Sequence, residues 1–248
     1  VFSIPVGNEL WLKDKTTKVN YIITYELGKG AVVDMGLFAA KDNRREAVSL
    51  SMEIKRHVLA SKFLRGQIIE IDRGGGFRIV DIGDHQMPII SEELMSELEK
   101  NVINLFDKEN SFKEYGLPIK RSVILEGPPG CGKTMIARHL ATRLKGKVTT
   151  IWVTAKSIEE SSDVASVFDI ARKLSPSLVV MEDLDLISGT RESRMFGGEN
   201  CLGEMLNQLD GLTSNDSIVL VGSTNAVTSL DDALKDRPGR FDRIYEIG

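Results

Sequence analysis

Ser122 to Thr134, SVILEGPPGCGKT, restricts this chain more than any other stretch. Val123, Ile124 and Leu125 form an apolar run that reads as a buried strand, and Met135-Ile136-Ala137 onward reads as a helix. Between them, Gly127-Pro128-Pro129-Gly130-Cys131-Gly132-Lys133-Thr134 fits the pattern G-x-x-x-x-G-K-[ST]. Strand, loop and helix in that order is the context that makes this pattern a phosphate site and not a plain glycine turn. Gly127, Gly130 and Gly132 let backbone N–H groups converge on one concavity. The helix after them turns its positive end into the same space, which favours a polyphosphate. Lys133 can reach β- and γ-phosphates, and the Thr134 hydroxyl can ligate Mg²⁺. The octet and Met135 behind it are the candidate nucleotide-binding residues.

The 248 residues allow one or two domains. Hydrophobic content of 42% and charged content of 27% are ordinary for a soluble globular protein. No apolar run approaches the roughly 18 residues that span a membrane, and no signal-peptide pattern opens the chain. The first residue is Val and not Met, so an upstream piece, targeting included, stays open. A net charge of -4 and a pI near 5.6 argue against a generic nucleic-acid binder, though not against a basic surface confined to one face or pore. Cys131 and Cys201 form no C-x-x-C pair, and His57, His85 and His139 show no metal spacing. This cysteine usage suits a reducing compartment, with a cytoplasmic location as the expectation.

Residues 1–88 read as an α+β region for partner binding or assembly. Leu10-Trp11-Leu12, Val19 to Leu27 and Ala31 to Phe38 look like short strands. In Asn43 to Ala60, Val48, Leu50, Met52 and Ile54 alternate as in a strand, while Ala47, Leu50, Ile54 and Val58 suit one helical face. Length and the lack of Gly or Pro favour the helix. Gln67 to Ile71 and Phe77 to Ile82, around Asp72-Arg73-Gly74-Gly75-Gly76, read as a hairpin with a glycine-rich turn. Residues 89–111 read as a linking helix with Ser91 as N-cap and Leu94, Leu98, Val102 and Leu105 as its apolar stripe. Over 112–248, apolar runs at Val123–Leu125, Val148–Val153, Leu178–Met181, Ile218–Val221 and Ile244–Ile247 alternate with helical patterns at Lys133–Leu144, Asp163–Leu174 and Glu199–Leu209. The expectation is an α/β fold with a five-stranded parallel sheet between helices.

Three further constellations carry chemistry. Leu178 to Met181 run through the core, and Glu182, Asp183 and Asp185 emerge at the strand end. One carboxylate there can hold a water on the Mg²⁺ that Thr134 ligates, and the next can orient the attacking water. Val221-Gly222-Ser223-Thr224-Asn225 ends a buried strand on an amide able to hold that water, although alone Asn225 also suits a turn. Asp236 to Arg243 carries Arg240 and Arg243, fixed charges that suit a transferring phosphoryl group or a solvated ion-pair surface.

With the octet, these stretches resemble the AAA family of ring-forming ATPases over roughly residues 112–248, DALKDRPGRFDR being the most specific match. The resemblance implies ATP with Mg²⁺, Asn225 as sensor-1, and Arg240 and Arg243 as arginine fingers acting in a neighbouring subunit. It implies Asp183 as the water-activating residue, with Glu182 at the metal alongside Thr134. The usual Asp-Glu order is reversed here, as Glu182-Asp183. With Leu117-Pro118-Ile119-Lys120-Arg121, that reversal is similar to the mitochondrial inner-membrane AAA proteins that translocate a folded Rieske subunit. The aromatic–apolar–glycine pore loop of polypeptide-threading members is missing from Trp152 to Ser162; Arg194-Met195-Phe196-Gly197-Gly198 is pore-like but also reads as a surface loop. The family's small helical lid would follow Gly248, so an incomplete module is expected. The reading is a Mg²⁺-dependent ATPase ring, a hexamer by resemblance, remodelling a macromolecular partner that is protein sooner than nucleic acid. The alternative is a nucleotide-gated scaffold with little turnover.

Overall fold

The computed structural model describes residues 5–6, 9–14, 16–28, 31–60, 62–71, 77–83, 87–117, 119–187, 201–212, 216–225 and 241–248. They fall into two compact units, Val1–Phe63 and Leu64–Gly248.

The first unit is an antiparallel sheet, β1 (Pro5–Val6), β2 (Glu9–Lys13), β3 (Asn20–Gly28) and β4 (Ala31–Ala39), in sequence order, followed by α1 (Arg44–Ala60). Alternation places Tyr21 and Ile23 on one buried face of β3. The ambiguous segment is helical: Val48 and Met52, apolar in the strand-like register, are exposed, while Ala47, Leu50 and Ile54 are partly covered at helical spacing.

The second unit holds a seven-stranded sheet. Its strands are β5 (Ile68–Ile71), β6 (Phe77–Ile79), β7 (Ile119–Glu126), β8 (Thr149–Val153), β9 (Ser177–Met181), β10 (Ser217–Thr224) and β11 (Arg243–Glu246). The order is β11-β7-β10-β9-β8-β5-β6, with every pair parallel except β5–β6. The α/β class and the five expected parallel strands are present. The expectation of a sheet limited to those five needs correcting, because the β5–β6 hairpin extends it. Ile68, Ile69 and Ile71 are all buried, so β5 is apolar on both faces and is covered only within such a sheet. It pairs with β8 from Ile68↔Thr150 to Ile71↔Val153. The hairpin therefore belongs to the second unit, although the sequence reading grouped it with residues 1–88. Its turn, 72–76, lies outside the described residues.

Helices cover both faces. The linking helix runs through α2 (Glu92–Leu98), a π-helical turn (Glu99–Ile103), α3 (Asn104–Asp107) and α4 (Glu109–Glu114). It starts where Ser91 Oγ accepts from the Leu94 N–H (3.2 Å). Its Leu98, Val102 and Leu105 pack with Ile136, Ala137 and Leu140 of α5 (Lys133–Leu144) over Val123, Leu125, Val180 and Val219. On the opposite face, α6 (Ser161–Lys173) lies against β9, β10 and α8 (Cys201–Asp210), and the short α7 (Leu184–Ile187) lies against β10. Among the described residues no helix is long and apolar enough to cross a membrane.

Candidate nucleotide site

The site lies at the C-terminal edge of the parallel strands, where β7, β9 and β10 release their chains together. Pairing of β7 with β10 runs to Glu126↔Thr224, and the Gly127 N–H continues it by donating to Thr224 O (3.3 Å). The phosphate loop therefore starts beside Ser223 and Asn225. Gly130 (φ 84°) and Gly132 (φ 98°) are left-handed, a conformation that lets consecutive amides turn inward and that side chains disfavour. Gly132 caps α5, and its C=O accepts the Ile136 N–H (3.0 Å).

Lys133 is 7% exposed. Its ammonium donates to Gly127 O (2.6 Å), Pro128 O (2.9 Å) and Asn225 Oδ1 (3.1 Å), and lies 3.7 Å from Cys131 Sγ. The lysine is thus held at the loop by its own backbone and by the amide at the end of β10.

The three carboxylates after β9 have three different surroundings. β9 keeps register with both neighbours up to Met181 (Val153↔Met181 and Gly222↔Met181), and the Glu182 N–H donates to Val153 O (2.9 Å). Glu182 Oε1 accepts from the Thr134 hydroxyl (2.7 Å), and Oε2 accepts from the Trp152 indole N–H (3.0 Å). Asp185 Oδ1 accepts from the Thr224 hydroxyl (3.0 Å) and the Asn225 N–H (3.1 Å), so it braces the end of β10. Asp183 stands between them at φ 56°, a left-handed backbone for a residue with a side chain. Its N–H donates to Ser223 Oγ (3.2 Å). Burial, then the charges of Asp185 and Glu182, push its carboxyl above the ordinary aspartate value of 3.8, with Lys133 opposing them.

Asp183 lines a cleft of about 560 Å³ with Pro129, Gly130, Gly132, Lys133, Thr134, Met135, Arg138, Ser223 and Asn225. Gly127, Pro128 and Cys131 contact the lining residue Lys133, and Glu182 contacts the lining residue Thr134. Arg243 is exposed on β11 and lies off this cleft; Arg240 lies outside the described residues. Sequence reasoning missed four contributors. Arg138 follows Thr134 by one helical turn, and Ser223, near the end of β10, precedes Asn225 by two residues. Trp152 is a buried indole whose N–H requires an acceptor. Asp242 docks β11, its Oδ2 accepting from Ser122 N–H (2.7 Å) and Oγ (3.0 Å) while its own N–H donates to Ser122 O (3.0 Å).

The donor set fits a magnesium nucleotide. Thr134 Oγ and Glu182 Oε1 are hard oxygen donors 2.7 Å apart, the kind Mg²⁺ takes, beside a loop whose amides and ammonium suit phosphate. A glycine loop from a central parallel strand, opposed by an acidic strand end, defines a P-loop nucleotide-binding domain. The family model described as ATPase family associated with various cellular activities (AAA) matches residues 123–248. The chain belongs to this AAA family, and as an AAA ATPase domain it takes ATP with Mg²⁺.

Among similar proteins, an ATP-dependent zinc metalloprotease FtsH from Mycoplasmopsis synoviae is 34% identical over 192 residues, 73% of this chain and 27% of that protein. A proteasome-activating nucleotidase from Methanocaldococcus jannaschii is 30% identical over 195 residues, 75% of this chain and 44% of that protein. An ATPase family protein 2 homolog from Caenorhabditis elegans is 32% identical over 164 residues, 64% of this chain and 22% of that protein. The matched region thus spans less than half the length of each of these relatives.

Proposed function

We propose that the chain hydrolyses ATP in a Mg²⁺-dependent reaction and works as a homo-oligomeric ring, a hexamer, that remodels a protein partner. The observation that carries this reading is the division of labour after β9. Glu182 is tied to Thr134, while Asp183 faces the cleft with a carboxyl that burial and neighbouring charges make more basic than usual. Glu182 and Thr134 would hold the metal, and the loop amides and Lys133 the phosphates. Mg²⁺, when bound, supplies neutralising charge at the phosphate oxygens. Asp183 would take the proton of the attacking water on its carboxylate, and the Asn225 amide would orient that water.

Arg243 supports a shared site, since an exposed guanidinium off its own cleft can serve a neighbour's; we assign Arg240 the same role from the sequence. The two relatives named as a metalloprotease and as a proteasome-activating nucleotidase favour a protein partner. The order Glu182-Asp183, with Leu117 to Arg121, extends the reading to a folded cargo of the kind moved by the Rieske translocase group. Residues of the first unit would take part in partner binding or assembly. Steady-state ATPase with and without candidate partners tests the reading. Partner-stimulated turnover supports the motor; ATP-dependent assembly with negligible turnover sinks it in favour of a nucleotide-gated scaffold.

A further inference from the structure

Trp152 sits on β8, 6% exposed, within the core that α5 covers. It is opposite Val180 in the parallel register, so Glu182, two residues beyond Val180, leaves the sheet on the same face. The acceptor the buried indole N–H finds is Glu182 Oε2, at 3.0 Å. The second oxygen, Oε1, accepts the Thr134 hydroxyl at 2.7 Å, and the backbone of Glu182 is fixed to Val153 O at 2.9 Å. The carboxylate is therefore restrained at both oxygens, and the backbone that carries it at the Glu182 N–H.

We propose that Trp152 is a positioning residue for the metal site: its indole N–H fixes Glu182 so that Glu182 and Thr134 present a preformed oxygen pair to the Mg²⁺ that accompanies the nucleotide. This rests on the Mg²⁺–nucleotide reading of the cleft. Two physical points carry it. Glutamate has one more rotatable bond than aspartate, and a donor anchored in the sheet removes that freedom before the metal arrives. An indole is also a neutral donor, so it orients the carboxylate without cancelling its charge, as an arginine or lysine there would. Thr134 spends its proton on Glu182 and keeps oxygen lone pairs for a cation.

The test uses the whole chain and two readouts. The chain has two tryptophans, so its indole N–H region holds two resonances, assigned with Trp11→Phe. Glu182→Gln, which turns the charged acceptor neutral, is expected to move the Trp152 indole proton upfield and leave that of Trp11 in place. Trp152→Phe keeps a ring in the core and removes the donor. It is expected to raise the Mg²⁺ concentration needed for binding of a fluorescent ATP analogue on the order of 10-fold, with metal-free affinity in EDTA unchanged. In a Glu182→Ala background the same substitution should add nothing further.

An unmoved Trp152 indole in Glu182→Gln would overturn the proposal, and this arm decides alone if Trp152→Phe does not fold. So would a folded Trp152→Phe chain with the parental Mg²⁺ midpoint, or an equal shift with and without Glu182. Should the parental chain bind the analogue equally well with and without Mg²⁺, the reading of the cleft falls and the proposal falls with it. A Mg²⁺-dependent parent matched by Trp152→Phe removes only the positioning role.

Discussion

The two walls of the cleft are built on opposite terms. On the phosphate-loop wall Lys133, which lines the cleft together with Arg138, is already surrounded: two loop carbonyls and Asn225 accept its protons, and it is buried. On the acidic wall two of three carboxylates are tied down, Glu182 by Thr134 and Trp152 and Asp185 by Thr224 and the Asn225 N–H. Asp183 is held only through its backbone among the described residues, in a left-handed conformation. Binding is thus assigned to groups that exchange partners, and activation to one group kept apart from its neighbours' bonds. Asn225 touches both walls, its side-chain oxygen accepting from Lys133 and its N–H donating to Asp185.

The largest expected effect lies on the first wall. Lys133→Ala should abolish nucleotide binding, measured by isothermal titration with a non-hydrolysable ATP analogue, because it removes the cation nearest the loop. Losing one partner of a buried charged pair costs about 2–5 kcal/mol. The fold should survive, since the ammonium bonds two loop carbonyls and the Asn225 amide and takes no part in the apolar packing of the sheet. Undiminished affinity would erase the distinction between the walls.

Asp183→Asn tests the second wall. Charge is lost at nearly constant shape, so ATP should still bind tightly while turnover falls by about 10²–10⁴-fold. Asp183→Glu should retain appreciable turnover, as it restores the side-chain length usual at that place. Arg243→Ala should leave binding by one subunit intact and lower turnover on the order of 10³-fold. Mixing it with Lys133→Ala subunits should recover some activity; demonstrably mixed rings without recovery would count against a shared site.

A smaller effect is expected at Asp185. Asp185→Asn weakens two hydrogen bonds to a charged acceptor, each worth about 1.5–3 kcal/mol, so the melting temperature should drop while turnover falls less than in Asp183→Asn. If Asp185→Asn loses turnover and Asp183→Asn does not, the roles of the two carboxylates are exchanged.

Much of the second unit was legible because its signals are local. Apolar runs of strand length separated by helical patterns allow little besides a parallel sheet, and GPPGCGKT brings its own geometry. The hairpin's place was not legible. Ile68 to Ile71 form a good strand in any sheet, and nothing nearby says that β8, about eighty residues later, supplies the edge. The same limit hid the partners of Glu182. Its position after β9 follows from the strand register, but the Trp152 and Thr134 contacts depend on which strands are neighbours. Arg138 lay within reach of reasoning, one turn beyond Thr134 on the same helix.

The finest difference between the walls is one of protonation. In the nucleotide-free chain Asp183 should titrate above the ordinary 3.8, chiefly from burial, then from Asp185 and Glu182, with Lys133 pulling the other way. The sign for stability follows from linkage. Unfolding returns the carboxyl to its lower, ordinary value, so between the two values the folded chain binds more protons. This group's contribution to stability therefore grows as pH falls through its raised folded value, and it favours unfolding at neutral pH. The sign for catalysis is the reverse, because a base must be unprotonated: the acid limb of kcat/KM, which reports the free chain, should lie above the ordinary aspartate range. Each neighbour can then be removed in turn while the Asp183 carboxyl ¹³C shift is followed against pH. Asp185→Asn should lower its pKa, Glu182→Gln should lower it less, and Lys133→Ala should raise it. A Lys133→Ala chain in which that pKa stays where it was would mean that the lysine's charge does not reach across the cleft, and the two walls would be electrostatically independent.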